Sequence, residues 1–233
     1  MNTLSVIIPV YNEEKTISTV LTQVFSEKLP DWKKEIIVVD DASTDRTWPI
    51  LQETASVQTG NGFRIIRHQV NQGKGAAIRA GLKEAAGELV VIQDADLEYD
   101  PQDYYALIRP IIAGKADVVY GSRELGRNRI SSAGFFLGGK LLSFLANLLY
   151  RARITDEPAC YKVFRREILQ GLNLRCRRFE FCPEVTAKVR RQGYVIYEVP
   201  IHYYPRSIRE GKKIRLSDGI SAVWTLLRYR FGD

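Results

Sequence analysis

Short apolar runs recur along the first half of the chain, at residues 4–10, 35–39, 63–67, 88–92 and 117–120. Their length and β-branched content predict strands, and their near-continuous apolarity predicts strands covered on both faces. The stretches between them, residues 13–25, 45–54, 73–86 and 101–113, carry apolar positions at helical spacing. Asn12 ahead of Glu13-Glu14 and Ser43 ahead of Asp45 read as helix starts, with acids near the positive end of the dipole. Strand–helix alternation predicts βαβ units and a mainly parallel sheet, whose ligands bind beyond the carboxyl ends of the strands. Those ends fall at residues 9–14, 40–45, 94–98 and 121–123.

The second half is less regular. Residues 131–150 read as a long helix with a broad apolar face, 159–164 as a short strand, 181–192 as a helix, 195–204 as a strand and 217–230 as a closing helix. No repeat, low-complexity tract or linker divides the chain, which reads as one domain. Residues 133–149 come nearest to a transmembrane helix, but Lys140 lies at their middle. A lysine at the bilayer centre costs about 2.5–3.5 kcal/mol, so this helix and the closing one are expected to lie in the headgroup region instead.

Composition adds a partner class. With 45% apolar and 26% charged residues, the 233-residue chain is an ordinary globular sequence. Its formal charge of +7 calls for an anionic partner: nucleic acid, a phosphate ligand or an acidic membrane. Cys160, Cys176 and Cys182 are an odd set without a C-x-x-C pair, which argues against a disulfide framework and a structural zinc site and fits a reducing cytoplasm. The N-terminus has no basic stretch followed by an apolar core, so no secretion signal is read.

The sharpest chemistry is Gln93-Asp94-Ala95-Asp96-Leu97-Glu98, directly after the fourth run. In an extended chain alternate side chains share a side, so Asp94, Asp96 and Glu98 are expected to present three carboxylates to one spot. Packed carboxylates repel unless a cation sits among them, and hard oxygen donors suit Mg²⁺ or Mn²⁺. The plain alternative is an acidic turn that caps the next helix. Asp40-Asp41-Ala42-Ser43-Thr44-Asp45 opens onto the same sheet edge, where an aspartate can accept from a ribose hydroxyl or a base N–H. Arg123, Arg127 and Arg129 follow the fifth run, and Arg206, Arg209, Lys212, Lys213 and Arg215 follow the last. Guanidinium forks and ammonium charges both suit phosphate, although a solvated basic face has the same composition. Acids beside arginines at one cleft are what a nucleotide diphosphate with a divalent cation needs. Other chemistries have little to stand on: there is no phosphate-binding P-loop and no nucleophile elbow, and His68 and His202 are the only histidines. Gly73-Lys74-Gly75 marks a helix start that either approaches a phosphate or makes a turn.

Ser5-Val6-Ile7-Ile8-Pro9-Val10-Tyr11-Asn12-Glu13, followed by Val38-Val39-Asp40-Asp41-Ala42-Ser43-Thr44-Asp45 and by Asp94-Ala95-Asp96 at the place of a D-x-D motif, resembles family 2 glycosyltransferases of the GT-A fold. Gly121-Ser122-Arg123, the segment from Thr155-Asp156-Glu157-Pro158 to Phe164, and Glu210-Gly211-Lys212-Lys213-Ile214 are similar to the dolichol-phosphate mannose synthase group, and the likeness runs over essentially the whole chain.

The resemblance implies an α/β, Rossmann-like GT-A domain with C-terminal interfacial helices. Residues 1–122 would be the nucleotide-sugar half, and residues 123–233 the acceptor-binding, membrane-facing half. It implies inverting transfer of a hexose, mannose or glucose, from a GDP- or UDP-sugar to a polyprenyl phosphate, by an enzyme peripheral on the cytoplasmic face of a membrane. By position, Pro9, Tyr11, Glu13 and Asp41 would line the nucleotide pocket. Asp94, Ala95 and Asp96 would hold the donor phosphates through Mg²⁺ or Mn²⁺, with Glu98 as a third ligand. Arg123, Arg129 and Ser132 would take the acceptor phosphate, and Arg206 and Lys213 would close on the donor. Asp96 and Arg123 would stand at the reacting centre. One departure leaves sugar and nucleotide open: Glu180 stands in the segment where the family's best-understood member has a donor-contacting lysine. A phosphate acceptor is already ionised near neutral pH, so no general base is expected. A hydroxyl acceptor would instead need a carboxylate, Asp156 or Glu157. A nucleic-acid partner is disfavoured by the acids in the cleft.

Overall fold

The computed structural model describes residues 2–58, 60, 62–129, 132–206 and 213–232. The strands are β1 (Asn2–Val10), β2 (Trp32–Asp40), β3 (Phe63–Arg67), β4 (Leu89–Ile92), β5 (Val118–Ser122), β6 (Lys162–Arg165) and β7 (Ile196–Pro200). The helices are α1 (Ile17–Ser26), α2 (Thr47–Val57), α3 (Lys74–Glu84), α4 (Tyr104–Ile112), α5 (Ala133–Tyr150), α6 (Arg166–Gly171), α7 (Phe181–Arg191) and α8 (Leu216–Phe231).

The strands form one seven-stranded sheet in the order β3-β2-β1-β4-β6-β5-β7. β6 runs antiparallel to β4 and β5, and the other pairs are parallel. In the centre, Val6 registers with Ile36 on one side and Val91 on the other, all buried. The mainly parallel α/β sheet flanked by helices is therefore the one expected, and the continuous apolarity of β1, β2 and β4 reflects helices on both faces. α1 buries Ile17, Val20, Leu21 and Val24, one helical stripe. α3 comes closer to the sheet because Gly81 faces it: a Cβ there would lie 2.6 Å from Ile7 Cγ2.

Several boundaries differ from the sequence pattern. The strand expected from residue 159 begins at Lys162, because the preceding segment is held as a loop: the Thr155 and Asp156 amides donate to Glu198, and the Cys160 amide donates to Tyr99 Oη. Residues 101–113 divide into a 3₁₀ turn, Pro101–Asp103, whose Gln102 amide is accepted by Asp100, and then α4. Asn12 and Ser43 do not cap helices. The Asn12 amide donates to Ser43 Oγ at 2.9 Å and the Thr44 amide to Asn12 Oδ1 at 2.8 Å, so each side chain ties one strand-end loop to its neighbour. The caps are Thr16 and Arg46, without side-chain capping bonds.

Candidate active site

Loops at the carboxyl ends of β1, β2 and β4 each contain a non-glycine residue in the left-handed region: Asn12 at φ 49°, Ala42 at φ 61° and Leu97 at φ 63°. Such conformations are disfavoured for residues with a Cβ and persist where surrounding bonds over-determine them. Around Leu97 the fixing is visible. Gln93, fully buried, accepts from Tyr104 Oη at 2.8 Å and Tyr161 Oη at 2.9 Å, and its own amide donates to the Asp94 carbonyl. Thr16 Oγ1 donates to the Ala95 carbonyl at 2.7 Å, and the Glu98 amide donates to Asp96 Oδ1.

This turn corrects the extended picture of three carboxylates aimed at one spot. Each acid has its own partner. Asp94 pairs with Lys74 at 2.5 Å, and Asp96 with Arg206 at 3.0 Å. Glu98 accepts from the Arg206 amide at 2.8 Å and from Tyr203 Oη at 3.2 Å. Among the described residues no three Asp, Glu, His or Cys side chains converge as metal ligands.

The acids and cations do not balance locally. Burial, then the Asp94 and Glu98 carboxylates, push the Asp96 carboxyl up from 3.8 to about 7, against the pull of Arg206 and Lys74. Burial alone would lower the Lys74 ammonium, but Asp94 holds it well above its ordinary range. Asp94 and Asp96 thus sit in surplus negative charge that a divalent cation would relieve. Mg²⁺ is commonly held by one or two carboxylates together with substrate phosphates, a donor set these two residues fit.

The C-terminal segment closes over this centre. Arg206 forks onto Glu13 at 3.1 and 3.3 Å, and Lys213 reaches Glu13 at 2.7 Å and the Asn12 carbonyl at 3.1 Å, above the Tyr11 ring. Arg209 and Lys212 lie outside the described residues. Asp41 is buried at the cleft floor, where it accepts from the Gln72 and Gly73 amides at 2.9 and 2.7 Å and pairs with His68. It thereby caps the entry to α3. The Gly75 and Ala76 amides donate to the Arg178 and Arg177 carbonyls, so the Gly73-Lys74-Gly75 turn does not offer those amides to a phosphate. Gly73 permits this crossing at φ 95°, where a Cβ would lie 2.3 Å from the Arg177 carbonyl oxygen.

Arg123, at the end of β5, is gripped by Asp156 through Nε at 2.8 Å, Nη2 at 2.7 Å and its backbone amide at 2.8 Å, and its guanidinium lies 5.0 Å from the Tyr203 ring centre. Two of its donors are therefore already committed, and a bidentate fork onto an acceptor phosphate would have to use the rest. Burial works to raise the Asp156 carboxyl, but Arg123 outweighs it and holds the group below its ordinary range. Glu157 is fully buried behind it with Thr186 and Lys162. Neither carboxylate is placed as a general base for a hydroxyl acceptor. Glu180 accepts from the Arg177 amide at the start of α7.

The acids and cations of the site line one cleft of about 1790 Å³. Pro9, Tyr11, Glu13, Asp41, Asp94, Ala95, Asp96 and Glu98 line one end with Arg206 and Lys213. Arg123, Arg129 and Ser132 lie farther along it. Ser132 caps α5, its Oγ accepting from the Phe135 amide. Beyond them the walls are apolar and come from α5 and α8, including Gly138, Leu141, Gly219, Ile220 and Trp224. Lys74 is a wall residue to which sequence reasoning gave no firm role; Asp156, expected only as a base for a hydroxyl acceptor, and Arg178 and Phe179, beside Glu180, line the wall too. For Lys74 the signal was present, in the lysine between two glycines at a helix start.

The profile described as Glycosyl transferase family 2 matches residues 5–172. The dolichol-phosphate mannosyltransferase of Pyrococcus furiosus is 32% identical over 90% of this chain and 58% of its own length, so this chain spans a little over half of that relative. The UDP-N-acetylglucosamine–dolichyl-phosphate N-acetylglucosaminyltransferase of Methanococcus voltae is 31% identical over 97% of this chain and 95% of its own. Among solved structures, glucosyl-3-phosphoglycerate synthase from Mycobacterium tuberculosis, in complex with Mn²⁺, uridine diphosphate and phosphoglyceric acid, superposes with a TM-score of 0.74. It is 22% identical, and the match covers all of this chain and 80% of that one, which establishes the shared GT-A fold.

Proposed function

Since the chain belongs to glycosyl transferase family 2, we propose that it transfers a hexose from a GDP- or UDP-sugar to a polyprenyl phosphate at a membrane surface. The observation that carries this reading is the continuity of one cleft, from the Asp94–Asp96 turn past Arg123 into an apolar trough between α5 and α8. A nucleotide diphosphate suits the first part and an isoprenoid chain the last, and the reacting phosphate falls between them.

Asp94 and Asp96 are the residues that would hold Mg²⁺ or Mn²⁺, which when bound neutralises charge on the leaving diphosphate. Arg206 and Lys213 supply cations to the same oxygens by exchanging Glu13 and Asp96 for the donor. Arg123 is held by Asp156 as a fixed positive charge, and with Arg129 and the amides at the α5 start it orients the acceptor phosphate. The acceptor oxygen arrives ionised, so the protein contributes position and electrostatics and no proton transfer. The relatives named for dolichyl-phosphate sugar transfer support this acceptor.

Membrane contact follows from exposed apolar side chains on two helices, some of which also line the cleft. α5 exposes Leu137, Leu141, Phe144 and Leu148, and α8 exposes Leu216, Ile220, Trp224 and Phe231. α5 is long and apolar enough by length and composition to cross a membrane, with 17% of it buried. Lys140 on it pairs with Glu124 of the globular body and lies 5.5 Å from the Phe136 ring, which favours a helix lying in the interface. Three free thiols accord with the cytoplasmic face. The test is transfer of labelled sugar from a panel of GDP- and UDP-sugars into the organic phase, with Mg²⁺ or Mn²⁺ and a polyprenyl phosphate. Label that remains aqueous with every donor refutes the reading, and equal transfer to the unphosphorylated prenol refutes the phosphate acceptor.

A further inference from the structure

Two thiols face each other in the cleft wall. Cys160 lies just before β6 and Cys182 in the first turn of α7; both are buried, and their sulfurs are 3.7 Å apart. Cys182 also approaches the Pro158 and Ala159 carbonyls at 3.7 and 3.9 Å. Both side chains border the open cleft, which gives a small solute a path to them. The contact is lopsided: the hydrogen bond from Cys182, helped by the Lys74 ammonium, holds the Cys160 thiol below its ordinary range, while that same bond and burial push the Cys182 thiol well up, so Cys160 is the nucleophile and Cys182 keeps its proton. Burial and the neighbouring Glu184 carboxylate push the Cys176 thiol up as well.

We propose that Cys160 and Cys182 are a dithiol that a hydroperoxide converts to a disulfide, and that this disulfide slows reaction in the adjoining cleft. The Cys160 thiolate attacks one oxygen of hydrogen peroxide, breaking the O–O bond, releasing hydroxide and leaving a sulfenic acid. Cys182 Sγ then attacks that sulfur, forming the S–S bond, and its proton leaves with the expelled hydroxide as water. With the two thiol protons, one peroxide and two thiols give one disulfide and two waters.

Closing 3.7 Å to a disulfide bond requires roughly 1.6 Å of approach between the two side chains and the segments that carry them. One of those segments, residues 155–160, also carries Asp156, which fixes Arg123. A misplacement of about 1 Å near a reacting centre can cost about 10²-fold in rate. Disulfide formation is independent of the proposed function; the slowing rests on it.

The experiment treats the native full chain with hydrogen peroxide and follows intact mass, free thiols, linked peptides and sugar transfer together. The expected result is loss of two hydrogens, a fall from three free thiols to one, and a peptide joining Cys160 to Cys182. Transfer should fall roughly 10²-fold and return with dithiothreitol. Cys176→Ser should still form the link and Cys182→Ser should not. Three surviving thiols, a link through Cys176, or a complete Cys160–Cys182 disulfide with unchanged transfer would each overturn the proposal. A reduced chain that transfers no sugar refutes the proposed function, while the mass and peptide data still decide the dithiol.

Discussion

Replacing Asp96 by Asn should stabilise the metal-free protein while abolishing transfer. Asp96 is crowded by Asp94 and Glu98 in a buried turn, and its carboxyl is raised from 3.8 to about 7. A carboxyl raised on folding is disfavoured in its ionised form. The penalty is absent below pH 3.8, grows through the interval and is complete above about pH 7, so stability falls as pH rises. The rise corresponds to about 4 kcal/mol at full ionisation. With its side chain 18% exposed, Asp96 keeps some solvent screening, and about 2–3 kcal/mol is the working value. For a chain of this size that is a gain of about 5–10 °C in melting temperature. The assay compares thermal melts of wild type and Asp96→Asn at pH 5 and pH 8, without metal and then with Mn²⁺ and a nucleoside diphosphate. The gap should favour the variant at both pH values and at pH 5 be about two-fifths of its size at pH 8. Added Mn²⁺ and nucleotide should raise the wild type alone. A variant that melts below wild type at pH 8 would refute the assignment of strain to that carboxylate.

Asp156→Ala removes three hydrogen bonds from Arg123 and leaves a largely buried guanidinium unpaired. Stability should drop by about 3–5 kcal/mol in denaturant titration, and a drop below 1 kcal/mol would contradict the pairing. His202 donates its amide to Asp103 at 2.7 Å and holds its ring Nδ1 2.8 Å from the same carboxylate, which raises the imidazole above its ordinary 6.5. Its contribution to stability is full below pH 6.5 and is lost as pH rises through the folded value. NMR titration should show the elevation in wild type and its loss in Asp103→Asn; identical titrations would count against the contact. Leu141→Glu and Trp224→Glu, at exposed positions, should each weaken capture by anionic liposomes about ten-fold while leaving the melting temperature unchanged. Undiminished flotation would remove these faces from membrane contact.

The sheet was legible because β1, β2 and β4 are buried on both faces, and nothing but short apolar β-branched runs satisfies that condition. The site's location was legible for a related reason: the acidic and basic clusters fall at strand ends, and a parallel sheet gathers those ends on one edge. What escaped was the use of individual side chains. Asn12 and Ser43 satisfy the rule for helix caps, yet their nearest orphan partners lie on each other's loop, more than thirty residues away. Glu98 alternates correctly with Asp94 and Asp96 only while the chain stays extended, and the left-handed Leu97 breaks that alternation. The pairings of Lys74 with Asp94 and of Asp156 with Arg123 were invisible, because the partners are distant in sequence and meet only through the fold.

The central claim is that Asp94 and Asp96 hold a divalent cation against the donor diphosphate. Electron paramagnetic resonance of Mn²⁺ tests it most directly, because the free-ion signal is lost on binding. Adding the full chain with GDP or UDP should quench that signal, and Asp94→Asn or Asp96→Asn should restore it. Quenching of equal extent in both variants, or none in wild type with either nucleotide, would contradict the account.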